Sequence, residues 1–145
     1  MRSATWQQRV DALGRAHYRR YDESTATNLD KSAVFVIECY RGDLRRLADA
    51  AGGKVGRAEQ LLREIPGIGP AGAAIFLREV QRVWPWSAPY VDDRVLAGAK
   101  RVGLPASRAG LGRALARSGA DVFAACAALV RVGLDDRAAA DLGLH

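Results

Sequence analysis

The run Ile65-Pro66-Gly67-Ile68-Gly69-Pro70 lies between two stretches with helical spacing of apolar residues, 57–65 (RAEQLLREI) and 71–83 (AGAAIFLREVQRV). Prolines at both ends and two glycines inside cannot continue a helix, so the run is a tight turn that joins two helices. Glycine supplies the positive φ that such a turn needs and lets another backbone approach closely. Ile68, between the glycines, can plug the groove between the helices, and Ala73 is small where they cross. The second helix begins at about Pro70, where a missing N–H costs nothing. Its first N–H groups, from Gly69 to Ala71, point outward and can grip a phosphate. The residues offered to such a ligand are Pro66, Gly67, Ile68, Gly69, Pro70 and Ala71. The carbonyls of Ile65 and Ile68 can hold a monovalent cation, K+ or Na+, that bridges to the same phosphate.

The rest of the chain reads as helix. Trp6, Val10, Leu13 and His17 recur at helical spacing, which predicts an amphipathic helix over 4–21. Ser24 can cap a second helix that runs to about Tyr40. Its centre, Val34-Phe35-Val36-Ile37, has strand propensity, and a strand is the competing assignment there. Short helices are expected at 43–51, ended by Gly52-Gly53, at about 92–102, closed by Gly103 and Pro105, and at 107–117 and 120–132. In the last of these, Val122, Phe123, Cys126, Leu129 and Val130 face inward. WPWSAP at 84–89 is a stiff connector. The expectation is an all-α bundle of seven or eight helices forming a single domain, 1–145, with the hairpin at about 57–83.

A chain of 145 residues has enough surface to bury one core, and 49% apolar with 26% charged residues argues against general disorder. No apolar run reaches the roughly 20 residues needed to cross a bilayer, and the first ten residues have no signal-peptide apolar region. Cys39 and Cys126 are too few for a disulfide scaffold or a four-thiolate metal or iron–sulfur site, and both read as small core residues. The expected compartment is the cytoplasm, at the nucleoid. Of the 22 basic residues only Lys31, Lys54 and Lys100 are lysines, so the other 19 are arginines, and the net charge is +6. Arginine binds phosphate through a planar fork of donors, and a basic balance favours nucleic acid. The acids are spread as evenly as the bases, so charge alone adds little to that reading.

Beyond the hairpin comes Val91-Asp92-Asp93-Arg94-Val95-Leu96, leading to Arg101-Val102-Gly103-Leu104. Asp92 stands where a helix begins, and a carboxylate there caps free N–H groups and is favoured as an anion by the helix dipole. Asp93 reads as an exposed first-turn acid. In order and spacing, IPGIGP followed by VDDRV…RVGL resembles the helix-hairpin-helix DNA glycosylase superfamily, the endonuclease III-like base-excision enzymes. The resemblance covers roughly Thr5 to Leu104. It implies sequence-independent binding of double-stranded DNA through the hairpin. It also implies that Asp92 matches the catalytic carboxylate, which stabilises the cationic sugar as the glycosidic bond breaks and helps activate the nucleophile.

Three departures shape that expectation. The position of the Schiff-base lysine in bifunctional relatives is Ala71, which cannot form an imine, so the pattern points to a monofunctional N-glycosylase. The iron–sulfur cysteines are absent, so no cluster and no obligatory cofactor is expected. The helices that precede this stretch in the family have no counterpart before Trp6, which suggests a fragment, a shortened relative, or a chain whose missing part a partner supplies. By that reading, the apolar faces Trp6/Val10/Leu13 and Val34–Ile37 lose their cover, and a homodimer is expected, with a rearranged monomer whose helices close over the gap as the competing outcome. The alternative function is a non-catalytic DNA-binding module or truncated pseudo-enzyme, and a third is a helical protein-interaction domain with PGIGP as a plain turn. Trp84, Trp86 and Tyr90 can line a base pocket or simply pack a loop onto a core. Tyr18-Arg19-Arg20-Tyr21 can track a backbone or cover an exposed helix face. His17 reads as a core-edge residue, and His145 has no assigned role.

Overall fold

Helical spacing is realised along the chain. The computed structural model describes residues 4–135, which form eight α-helices and one 3-10 turn, with no strand among the described residues. His145 lies outside them. The chain divides into two compact units, Met1–Ala73 and Ala74–His145, and the division falls inside the second helix of the hairpin.

In the first unit, α1 (Trp6–Arg15) starts at a capping box. The Thr5 hydroxyl accepts from the Gln8 N–H at 3.2 Å, and the Gln8 side chain accepts from the Thr5 N–H at 2.8 Å. The helix stops well short of residue 21, because His17 takes a left-handed conformation (φ 60°) and turns the chain. His17 is exposed, so it is not a core-edge residue. Next comes α2 (Asp22–Tyr40). Its start is Tyr21 rather than Ser24, whose hydroxyl donates to the Tyr21 carbonyl at 3.1 Å from inside the first turn. Asp22 and Glu23 occupy that turn, where negative charge favours the helix dipole. Val34–Ile37 lies within this 19-residue helix. Local strand propensity yields there to the helix on both sides and to packing of α1 along α2. Cys39 is exposed, which corrects its assignment to the core. Trp6 and Val34 also remain substantially exposed.

Two short helices, α3 (Arg45–Ala51) and α4 (Val55–Arg63), pack as a pair. They bury Leu47, Ala51, Ala58, Leu61 and Leu62. Then α5 (Pro70–Val80) carries the chain into the second unit. There, the 3-10 turn Pro85–Ser87 leads to α6 (Asp93–Arg101), α7 (Arg108–Ser118) and α8 (Val122–Leu134). Each of these three helices is capped by the residue before it. Asp92 accepts from the Val95 N–H, Ser107 from that of Gly110, and Asp121 from that of Ala124. Their core is Val91, Val95, Ala99, Leu111, Leu115, Cys126 and Leu129. Val122, Phe123 and Val130 are only half-buried, whereas Val132 is buried. Helices α6 and α8 meet backbone to backbone: Gly98 lies directly against the Leu129 peptide, and Gly133 faces Gly98.

Candidate nucleic-acid interface and carboxylate site

The hairpin turn is built from the first unit. Chain reversal after α4 closes with the Ile68 N–H donating to the Ile65 carbonyl at 3.0 Å. Gly67 adopts φ +84°, and a β-carbon there would lie 3.2 Å from Cβ of Asn28 on α2. The Ser32 hydroxyl, also on α2, lies 2.6 Å from the Pro66 carbonyl and 2.7 Å from the Asn28 carbonyl. Helix α2 therefore fixes the turn from behind. Ile68 is half-buried and packs over Gly72, and Ala73 is fully buried.

On the outer side Gly67, Gly69, Pro70 and Ala71 are exposed. The first N–H of the helix to bond back is that of Ala73, to the Gly69 carbonyl at 3.0 Å. The N–H groups of Ala71 and Gly72 thus have no intrahelical acceptor, and Pro70 has none to satisfy. The Ile65 carbonyl already accepts one hydrogen bond and keeps a second lone pair. Among the described residues, no three His, Cys, Asp or Glu side chains stand close enough together to hold a metal.

Asp92 belongs to the second unit and is 8% exposed. One carboxylate oxygen, Oδ1, caps α6 by accepting from the Val95 N–H at 2.9 Å. The other, Oδ2, accepts from Nη1 of Arg78 on α5. The segment around it is held on both sides. The buried Gln81 accepts from the Tyr90 N–H through Oε1 at 2.7 Å, while its Nε2 donates to the Arg78 carbonyl at 2.9 Å. Arg108 donates from Nε to the Val91 carbonyl at 3.0 Å and from Nη2 to Asp93 at 2.6 Å. The Cys126 thiol lies 3.7 Å from the Tyr90 carbonyl. Burial pushes its pKa up, so it is a poor nucleophile.

Arg78, Gln81 and Arg108 were missed from the sequence. Arg78 stands fourteen positions from Asp92 on a different helix, and only the fold brings them together. A hint exists one turn further on. Arg82, just past the end of α5, pairs with Asp121 at 2.6 Å, so two arginines four positions apart each meet the capping aspartate of a later helix. The Arg82 pair is exposed and the Arg78 pair is not. Arg82 also stacks on Phe123, 4.3 Å from the ring centroid.

The tryptophan connector packs inward. Trp84 is 5% exposed, stacks on Trp86 at 5.6 Å and receives the edge of Phe76 at 5.3 Å. That arrangement uses its rings for packing rather than leaving them open to a base. Tyr18 and Tyr21 are exposed, with Arg20 over the Tyr21 ring. No helix among the described residues is long and apolar enough to cross a membrane. No family model matches the chain, and no curated protein or solved structure is significantly similar to it.

Proposed function

We propose that the chain is a DNA-binding protein of base-excision type, acting in the cytoplasm on double-stranded DNA. It holds the backbone through the Pro66–Ala71 turn and uses Asp92 as the carboxylate of a monofunctional N-glycosylase. The observation that carries the reading is the exposed, unbonded start of α5 behind a glycine turn that α2 fixes in place. Such a start offers N–H donors and a partial positive charge to one phosphate, with no side chain to read bases. A monovalent cation on the Ile65 and Ile68 carbonyls would add to the attraction. No iron–sulfur cluster takes part.

In the chemical step a nucleotide is flipped out of the duplex and its glycosidic bond breaks. Positive charge grows on the sugar, and a fixed carboxylate nearby lowers the energy of that state. Asp92 is held for such a task by the α6 cap and by Arg78. One observation favours the non-catalytic reading, in which the chain binds DNA only. Both oxygens of Asp92 are engaged within the protein, and a guanidinium beside the carboxylate cancels much of its field.

Two measurements separate these readings. Titration of a labelled duplex at several salt concentrations is expected to show sequence-independent, salt-sensitive binding. Absence of binding at low salt would remove the DNA function altogether. A base-release assay over a panel of damaged bases then distinguishes enzyme from binding module. Free base and an intact abasic strand are the products expected of the enzyme.

A further inference from the structure

Arg78 is used only in part. It donates to Asp92 through Nη1, whereas its Nε and Nη2 N–H groups have no acceptor among the described residues. The side chain retains 12% of its surface and lines a shallow cleft of about 110 Å³ between α5 and α8, together with Glu79, Phe123, Cys126, Ala127 and Val130. Asp92, by contrast, is secured independently of Arg78, because its Oδ1 caps α6. The two ends of this ion pair therefore differ. If the pair opens, the carboxylate keeps its place and the guanidinium is free to turn toward the cleft.

We propose that Arg78 is a phosphate-binding residue that exchanges the Asp92 carboxylate for a DNA backbone phosphate. The inference rests on the DNA-binding reading and deepens it. A phosphate matches the donor fork of a guanidinium as well as a carboxylate does, so the exchange replaces one charge-assisted pair by another. It also removes the difficulty that a paired Asp92 poses for chemistry. Without DNA the guanidinium neutralises the carboxylate. With a phosphate on Arg78, Asp92 regains an uncompensated negative charge beside the nucleotide that needs it. Glu79 on the cleft wall opposes an incoming phosphate, while Arg82, just past the end of α5, sits over the ring of Phe123 on the other wall and is itself paired with Asp121.

Competition between two anions for one cation has a measurable consequence. Removing the carboxylate should strengthen DNA binding, and the gain should depend on Arg78. The comparison uses Asp92→Asn and the double variant Arg78→Met/Asp92→Asn. Asparagine keeps the α6 cap and its amide oxygen can still accept from Arg78, whose side chain reaches solvent, and the double variant leaves neither charge in the partly buried site, so both are expected to fold. Thermal melts check this. In anisotropy titrations with a labelled duplex, Asp92→Asn is expected to bind about fivefold tighter than wild type. The double variant should lose that gain, with a slope of log K against log salt smaller by about 0.9, the contribution of one phosphate. Equal affinity and equal slope for the two variants would overturn the exchange while leaving DNA binding intact. A wild-type chain that binds no duplex at low salt would overturn the DNA reading and the exchange with it.

Discussion

Gly67 and Gly69 look alike in the sequence but differ in the fold. Gly67 is left-handed and faces Asn28, whereas Gly69 lies outside the left-handed region with open space where a side chain would point. Gly67→Ala should cost about 1–3 kcal/mol of stability, read as a lower denaturation midpoint. Gly69→Thr should fold normally, because threonine is a good residue to precede a helix. Its hydroxyl would take the N–H of Ala71 or Gly72 that a phosphate would use, and its methyl would block the approach. Weaker binding to every duplex sequence alike is expected from anisotropy, and unchanged affinity would show that the turn makes no contact. For the chemistry, Asp92→Asn should abolish base release without weakening DNA binding. Borohydride should trap no covalent complex, because Ala71 offers no amine. A trapped imine would transfer the chemistry to another amine and end the assignment to Asp92. The turn and the aspartate were legible because each is a local signal, a glycine–proline rhythm in one case and a capping position in the other. The Arg78 pair was not, since its geometry depends on how the 84–92 connector folds back.

At the scale of elements, the helices were legible from apolar spacing and from capping residues such as Ser107 and Asp121. Their ends were less so. The left-handed residue that stops α1 is a histidine, where glycine would be the expected signal. The β-branched run in α2 resolved as helix because its strand propensity is a weak local preference and the helix around it is long. The close approach of α6 and α8 left only a faint trace, since Gly98 and Gly133 read as ordinary small residues until their backbones are seen in contact. That contact carries a prediction. A β-carbon on Gly98 would overlap the carbonyl of Leu129, which is backbone and cannot swing aside. Gly98→Ala should therefore destabilise the fold by about 3 kcal/mol or more, despite the better helix propensity of alanine. At Gly112, where the nearest atom is a side-chain carbon of Pro89 at 3.5 Å, the same change should be tolerated. Urea denaturation of the two variants compares them directly. Equal midpoints would mean that the α6–α8 crossing relaxes without cost.

For the whole molecule, each unit carries one group that ties stability to acid and one that ties it to alkali. Asp43 is lowered from 3.8 to about 2, first by its side-chain hydrogen bonds with Arg45 and then by the Arg45 N–H. Asp121 is lowered first by the Ala124 N–H and then by Arg82. For both, the unfolded chain takes up protons before the folded one does. Their stabilisation is complete above the ordinary carboxylate range and is lost as pH falls through the folded values. Burial raises Tyr40 above 10.0, and it likewise raises Cys126 above 9.0. Here the unfolded chain releases protons first, so stability is complete below those values and declines as pH rises through and beyond them. The melting temperature should hence be flat from about pH 5 to 8 and fall on both sides. Asp121→Asn retains a capping side chain but removes one titrating carboxylate, so the acid fall should become shallower with the alkaline limb unchanged. Cys126→Ala should do the reverse, making the alkaline fall gentler and leaving the acid limb alone. A melt series that shows the same two limbs in all three proteins would break the link between these groups and stability. Within the plateau, DNA titrations are best read at a fixed pH of 7, where the formal net charge is +6 and a change in salt slope reports phosphate contacts rather than protons.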